Sequence, residues 1–356
     1  MRRALLLGLL AAACRDLPDV TAAGEHVLIA ADPELEMCGG SMAHLDEFIA
    51  RLCAEFGIEP PTGDDRPLGY WLRIEDFKAR TRCAEGSACM RNGTFYAWWM
   101  PATHEVVHAV LFPYGRTLPL LAEGVAVAYQ GLGAEVGEGN VSLDLDIAPL
   151  IAIRRSHDLL HTKDGYIRAG NYVAFLVERY GAAAVLQLMT LVDPMADEAE
   201  LDHAFRVALG VSLEQTIEGY RSQPRYCSQL SYDAKLIECA APELTWQGGR
   251  IAEYRALACE QEDVVGPLEG GAAAVFRTLQ IDEAGWYILE FFGDAPSNRL
   301  SLRPCGGCDH EDDIALHAGE PARREWLPAG VYSVRLLGPT SARTSVGVRI
   351  TPDPSQ

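Results

Sequence analysis

No stretch of this 356-residue sequence is long and apolar enough to span a bilayer. The apolar run at its start, Ala4 to Ala13, has ten residues, against the ~20 a spanning helix needs. Basic residues are scarce: 30 Lys and Arg stand against 50 Asp and Glu, for a net charge of −20. That balance repels a phosphate backbone and excludes nucleic acid as a partner. A charged fraction of 22% beside 49% hydrophobic residues excludes a disordered chain. The Cys-x-x-Cys at Cys305 to Cys308 lacks the strand–helix context of a thioredoxin-like redox centre, so a structural role is expected there. No long propeptide is visible before the first expected strand. At ~100–200 residues per domain, the length predicts two or three domains.

Cysteine, by contrast, is abundant, with ten residues. Arg2 and Arg3 followed by Ala4 to Ala13 have the form of an export signal. The run ends Leu10-Ala11-Ala12-Ala13-Cys14, which resembles a bacterial lipobox, where small residues precede a cysteine that is lipidated and begins the mature chain. Ala11 stands where Leu is usual, and an ordinary Ala-x-Ala cleavage signal is the other reading. A lipobox implies an exported lipoprotein of the cell envelope, on the periplasmic side or outer surface, meeting a membrane only through an anchor at Cys14. Export makes disulfides the default for Cys38, Cys53, Cys83, Cys89, Cys227, Cys239, Cys259, Cys305 and Cys308. Nine is odd, so at least one does not pair within the chain. Closeness favours Cys83–Cys89 and Cys305–Cys308, the latter around a Gly306-Gly307 turn.

The pattern divides the chain into a signal (1–13), a tether (14–23), a mixed α/β and helical unit (24–225), a Cys-containing connector (226–265) and a β-sandwich (266–356). Strands are expected at Val27 to Ala31, Tyr70 to Ile74 and Thr94 to Met100. A helix is expected over 41–56, where Met42, Leu45, Phe48, Ile49 and Leu52 recur at helical spacing. Further helices are expected over 102–112, 119–130, 169–180, 183–192, 199–208 and 213–222, several separated by Gly181, Pro194 and Gly210. In the C-terminal part, Ala284-Gly-Trp-Tyr-Ile-Leu-Glu-Phe-Phe-Gly293 repeats as Ala329-Gly-Val-Tyr-Ser-Val-Arg-Leu-Leu-Gly338, which suits a sandwich with related halves, whose edge could begin near Trp246. The fold class is therefore α+β: a small N-terminal α/β layer, a helical subdomain and an all-β sandwich.

The chemistry sits in Thr103-His104-Glu105-Val106-Val107-His108, a His-Glu-x-x-His motif on an expected helix. Residues i and i+4 share a face, so both imidazoles can reach one metal, with Glu105 beside the open coordination position. The rest of the helix is apolar, and burying these polar groups unpaired would cost several kcal/mol. A catalytic zinc takes three protein ligands and keeps a fourth place open. Fifteen residues after His108, Glu123 is the single carboxylate of a second apolar helix, Leu120 to Tyr129, and could complete the set. His157 and His161 are also i, i+4, but have no third ligand nearby in sequence and read as a partly exposed helix face. His203, His310 and His317 read as surface residues, and Glu311, Asp312 and Asp313 as a solvated acidic loop.

The His-Glu-x-x-His helix followed by Glu123-Gly124-Val125-Ala126 resembles the gluzincins, the thermolysin-like zinc peptidases. The stretch Tyr166 to Gly181, and the one from Ala204 to Leu213, are similar to helices that distant members carry after the zinc site. The likeness covers about residues 25–222. It implies Zn2+ held by His104, His108 and Glu123, Glu105 as general base, and a peptide or protein substrate hydrolysed by a monomer. It further implies an oxyanion-stabilising tyrosine, with Tyr166 the candidate and Tyr172 the reserve. Strand Thr94 to Met100 would pair an extended substrate, with Trp98 and Trp99 walling the cleft or filling the core. Val127 departs from the pattern, since many gluzincins place an acid four residues after the third ligand to orient a ligand histidine. The C-terminal repeat resembles, more loosely, the pre-peptidase C-terminal domains of secreted bacterial peptidases. The alternative function is a catalytically silent gluzincin-fold surface binding protein.

Overall fold

A computed structural model of the chain describes residues 17–81, 83, 88–130, 146–222, 236–305 and 314–355. The leader with Cys14, Cys227, Cys308, His310 and the acidic run Glu311 to Asp313 lie outside the described residues. The fold is α+β, with a sandwich-like β region following a mixed and helical one. No single helix among the described residues is long and apolar enough to cross a membrane.

The first sheet has the order β1 (Ala22–Ala23), β2 (Leu28–Ala31), β3 (Leu68–Trp71), β5 (Thr94–Ala97), β4 (Ala88–Arg91). Strands β2, β3 and β5 run parallel, and β4 closes the edge antiparallel to β5. Helix α1 (Ser41–Phe56) covers the sheet with Leu45, Phe48, Ile49, Leu52 and Phe56. It ends at Gly57, whose φ of 68° lies in the left-handed region that glycine reaches at no steric cost. Two expected strands end early. Ile74 opens α2 (Ile74–Arg80) instead of closing β3, because the Arg73 N–H donates to buried Asp32 at 2.9 Å and Arg73 and Arg80 both pair with Asp76. Strand β5 stops at Ala97 because its partner β3 ends opposite it at Trp71.

The helical part is α3 (Thr103–Leu111), α4 (Pro119–Tyr129), α5 (Ala148–Ile151), α6 (Ser156–Leu160), α7 (Gly165–Tyr180), α8 (Ala182–Leu191), α9 (Glu198–Leu209) and α10 (Leu213–Arg221). Capping boxes start two of them, Asp197 with Glu200 at α9 and Ser212 with Gln215 at α10. Helix α7 begins a turn earlier than the apolar spacing predicted, which places Tyr166 in its first turn.

The C-terminal strands are β6 (Ile251–Leu257), β7 (Val265–Leu268), β8 (Ala272–Ile281), β9 (Gly285–Gly293), β10 (Arg299–Pro304), β11 (Ile314–His317), β12 (Arg323–Leu327), β13 (Gly330–Pro339) and β14 (Thr344–Pro352). They form two sheets, β11-β10-β13-β8-β7 and β12-β9-β14-β6. Strand β6 falls in the segment read as a connector, yet pairs with β14. The two copies of the sequence repeat are β9 and β13, and they sit inside opposite sheets. Tyr287 and Tyr332 occupy the same place in each copy, and each hydroxyl donates to the carbonyl four residues back, Glu283 at 2.8 Å and Pro328 at 2.9 Å.

The two larger apolar cores among the described residues lie under the first sheet and the helices and inside the sandwich, and a smaller one gathers Val265, Leu268, Ala274, Phe276 and Leu337. The two larger ones meet at the start of α1. Cys38 is bonded to Cys259, and the Gly39 and Gly40 amides donate to the carbonyls of Cys259 and Val264 at 2.7 and 2.9 Å. A Cβ on Gly39 would lie 2.7 Å from the Gln261 carbonyl oxygen, so the approach needs glycine. Cys83 bonds Cys89, as closeness predicted. Cys305 does not bond Cys308 but Cys239, whose Cα lies 5.7 Å away. The neighbouring Glu238 is clamped to β13 by Ser333 and by Arg335 at 2.7 Å, which brings Cys239 to the end of β10. Cys53 is a buried free thiol. Disulfides persist in oxidising compartments, so these three fit an exported protein.

Candidate metal centre

Helix α3 buries Val106, Val107, Ala109, Val110 and Leu111 in the first core. The two remaining faces of the motif follow from helical spacing. His104 and His108 stack one turn apart with ring centroids 4.9 Å apart and planes at 78°. Glu105, the next residue round the helix, is buried. Helix α4 opens with Pro119 in its first turn and is buried nearly all round, as a helix apolar on every face but for one residue must be. Its one charged residue is Glu123, whose Oε2 lies 3.1 Å from His108 Nε2 and 3.4 Å from His104 Nε2. The ligand atoms of His104, His108 and Glu123 all lie within 4.8 Å of one another. Three electron-pair donors meeting at one point need a positive charge between them, a proton or a metal cation.

Helix α7 supplies the fourth side of the site. It crosses α4 at close range through two glycines: a Cβ on Gly124 would lie 2.5 Å from Val173 Cγ2, and one on Gly170 would lie 2.1 Å from Val127 Cγ1. Val127 therefore fills the α4–α7 contact, which leaves the position no room for an orienting acid. The crossing carries Tyr166 to the site, where its ring stacks on His104 with centroids 6.0 Å apart and its hydroxyl lies near the Glu123 carboxylate.

Orientation of His104 comes from Gln130, which the sequence reading did not single out. His104 Nδ1 lies 3.0 Å from Gln130 Oε1, an oxygen that only accepts, so Nδ1 is the donor there and Nε2 is left facing Glu123, to share a proton with it or to offer a lone pair to a cation. Gln130 lies seven residues, two turns, beyond Glu123 on the same face of α4. That i, i+7 spacing was the signal available for it.

The electrostatics follow from burial in this small space. Burial pushes the Glu105 carboxyl up to about 7, with His104 opposing and the Glu123 charge adding to it. Burial also opposes the charge of Glu123, but the two histidines hold it well below the usual carboxylate range. Burial and the neighbouring Glu123 and Glu105 carboxylates raise Tyr166, keeping it a hydroxyl donor. The donor set fits a cation: two imidazoles and one carboxylate, with the tautomer of one imidazole already fixed.

Other candidates lie elsewhere. Tyr172 is fully buried, and its hydroxyl sits 2.6 Å from Thr216 Oγ1 on α10, so it packs and does not reach the site. Trp99 is buried in the first core and Trp98 packs against it. Strand β5 is paired on both sides, by β3 and β4, so it cannot take up an extended substrate as the resemblance implied. The sheet edge on that side is β4. His157 and His161 lie on α6 and at its end, and His203 and His317 also lie apart from the cluster.

No protein-family model matches this chain, and no curated protein matches it. Among solved structures, the periplasmic inhibitor of g-type lysozyme from Salmonella Typhimurium aligns at 14% identity over 31% of this chain and 96% of its own, with a TM-score of 0.22. The Aeromonas hydrophila inhibitor aligns at 10% identity over 32% and 96%, with a TM-score of 0.23. Likeness at that level carries no argument for the fold or activity of this chain.

Proposed function

We propose that this chain is an exported zinc-dependent peptidase of gluzincin type that hydrolyses peptide bonds in peptide or protein substrates. The observation that carries the reading is the convergence of His104, His108 and Glu123 within 4.8 Å, with the buried carboxylate of Glu105 on the same helix. Two imidazoles and a carboxylate form the donor set of catalytic zinc sites that keep one position open. Zinc held there supplies Lewis acidity, acidifying water toward pKa ~7 and polarising a carbonyl. Glu105 accepts a proton from the attacking water and hands it to the leaving amine nitrogen. Its burial, which raises it to about 7, suits a carboxyl that must bind and release a proton near neutrality. Tyr166, held as a neutral hydroxyl, turns from Glu123 to donate to the oxygen that gains negative charge. An extended substrate would add to the sheet at β4, which packs beside α3. Cys14 in the lipobox-like leader would tether the enzyme to the envelope.

The test uses the exported chain without its leader. It should retain one zinc through dialysis and cleave members of a mixed peptide library. Glu105→Gln should keep the zinc and lose cleavage by about 10²–10⁴-fold, the usual contribution of a general base. A wild-type chain free of zinc would sink the reading, and zinc without cleavage would leave a binding protein.

A further inference from the structure

We propose a binding site for a neutral glycan on the outer face of the sandwich sheet β12-β9-β14-β6. It is a cleft of about 510 Å3, lined among others by Tyr254 of β6, Phe292 of β9, Asp294 just after β9 and Ser345 of β14. Small-ligand clefts run from ~300 to ~1,000 Å3. Strand register gathers these residues. Phe292 stands opposite Gly347 of β14, and Gly347 opposite Tyr254, so all three share one side of the sheet. The alternate residues Leu289, Phe291, Val346 and Val348 fill the sandwich core, which turns the Tyr254 and Phe292 rings outward, 58% and 38% exposed. A Cβ on Gly347 would lie 2.3 Å from Tyr254 Cδ1, so the tyrosine ring rests across the glycine and any other residue there would lift it. The two rings sit 5.5 Å apart with planes at 40°, an open stacking surface.

The polar groups decide what stacks there. Asp294 and Ser345 are exposed and tied together: the Ser345 amide donates to Asp294 Oδ1 at 2.8 Å, and the Asp294 amide donates to the Ser345 carbonyl at 3.2 Å. Both guanidiniums beside the rings are already matched by carboxylates. Arg255 Nη1 and Nη2 donate to Asp263 at 2.6 and 2.7 Å, and Arg349 Nη2 donates to Glu290 at 2.6 Å. An anion would therefore meet the Asp294 carboxylate, paired guanidiniums and a chain of net charge −20. A cation would find the Phe292 ring already carrying the Arg349 guanidinium, 5.5 Å from its centroid. A wholly apolar ligand would strip water from Asp294 and return no hydrogen bond.

A neutral molecule with one apolar face and a rim of hydroxyls satisfies every group at once, and a pyranose ring has that form. Its C–H face stacks on Tyr254 and Phe292, while its hydroxyls donate to Asp294 and exchange hydrogen bonds with Ser345. The same face offers a second ring. Trp286 lies six residues before Phe292 on β9, ~20 Å along the strand. Opposite it stands Trp326 of β12, 50% exposed. Stacking rings at both ends of one face suit a chain of several sugars. No residue of this face belongs to the candidate metal centre, so the inference stands apart from the peptidase reading.

The test titrates the chain without its leader with maltohexaose, cellohexaose and chitohexaose in a calorimeter, with dextran sulfate as the anionic control. At least one of the three should bind. Tyr254→Ala should weaken that binding by about tenfold or more with the melting temperature unchanged, since the ring is on the surface. Gly347→Ala, which keeps the ring but displaces it, should weaken it too. Trp326→Ala should weaken the hexaose more than the corresponding disaccharide. Glu105→Gln should bind as wild type does. Binding of none of the three, tighter binding of dextran sulfate, or affinity that Tyr254→Ala leaves undiminished overturns the proposal. So does self-association in solution that Tyr254→Ala abolishes, which would give the face to a second copy of the chain.

Discussion

A metal ligand works best when its lone pair is aimed before the metal arrives, and in the proposed zinc centre Gln130 would do that aiming for His104. Gln130→Ala removes the acceptor that fixes the tautomer. Zinc affinity should fall by about 10–100-fold in a chelator competition, with the protein still folded. Gln130→Glu keeps an acceptor and should hold zinc at least as well as wild type. An unchanged affinity in the alanine variant would remove Gln130 from the centre. Under the proposed function Tyr166 makes a different kind of contribution, because its hydroxyl would serve only when charge develops on the substrate oxygen. Tyr166→Phe should lower kcat by about 10²–10³-fold with KM and zinc content little changed. A loss confined to KM would assign Tyr166 to substrate binding instead. The sequence made some of these residues legible and others not. His104, Glu105 and His108 stand out by spacing, and Glu123 as a lone carboxylate in an apolar helix, because both patterns are local. Gln130 carries no charge and sits at a helix end, where an amide is ordinary. Tyr166 could be singled out only by resemblance, since a tyrosine in a first turn has many uses.

At the scale of elements, the site depends on how closely α7 approaches α4. Gly170 has Val127 Cγ1 2.1 Å from where a Cβ would stand, and the valine cannot retreat into a packed helix pair. Gly170→Ala should therefore push the helices apart, at about 1–3 kcal/mol of stability, and loosen zinc through Glu123 while moving Tyr166. Adding Val127→Ala removes the 2.1 Å contact and leaves only the position-127 Cβ at 2.9 Å, so the double variant should recover part of the stability and the affinity. If the two changes simply add, the helices are not coupled through that contact. The longer helices were legible to within about a turn because apolar spacing, Gly and Pro are written along the chain, whereas the short α2 and α5 carry too few turns to show a period and were not expected. Strand order was not. That β4 and not β5 forms the edge beside α3 depends on which strands meet, and no local pattern records it. The same reason explains Ile74: its side chain suits a strand, but the Asp32 and Asp76 ion pairs across the turn decide for a helix.

Across the whole molecule, the question is how the sandwich is held to the part that carries the candidate metal centre. The Cys38–Cys259 bond joins residues 221 apart, a pairing no sequence spacing could suggest. Beside it, Ser41 Oγ donates to the Gly266 carbonyl at 2.7 Å, and His44 of α1 lies 5.8 Å from the ring of Phe276 on β8. Burial pushes His44 down from 6.5 to about 4; Glu238 and Glu47 pull it up, and Arg335 adds to the lowering. Above pH 6.5 this histidine is neutral in both the folded and the unfolded chain and costs nothing. Between pH 6.5 and about 4 the unfolded chain binds its proton and the folded chain does not, so stability is lost as pH falls through that window. From pH 7 to pH 5 the loss from this one group is about 2 kcal/mol. His44→Gln, which does not titrate, should flatten that part of the pH dependence of the urea midpoint. Buried Glu238 is held below its ordinary value by Arg335 and Ser333 despite its burial, so its own contribution also falls away in acid and should persist in the variant. An identical slope in wild type and His44→Gln between pH 7 and 5 would place the acid sensitivity elsewhere. Since none of the three candidate metal ligands belongs to this junction, zinc in the variant at pH 7 should match wild type.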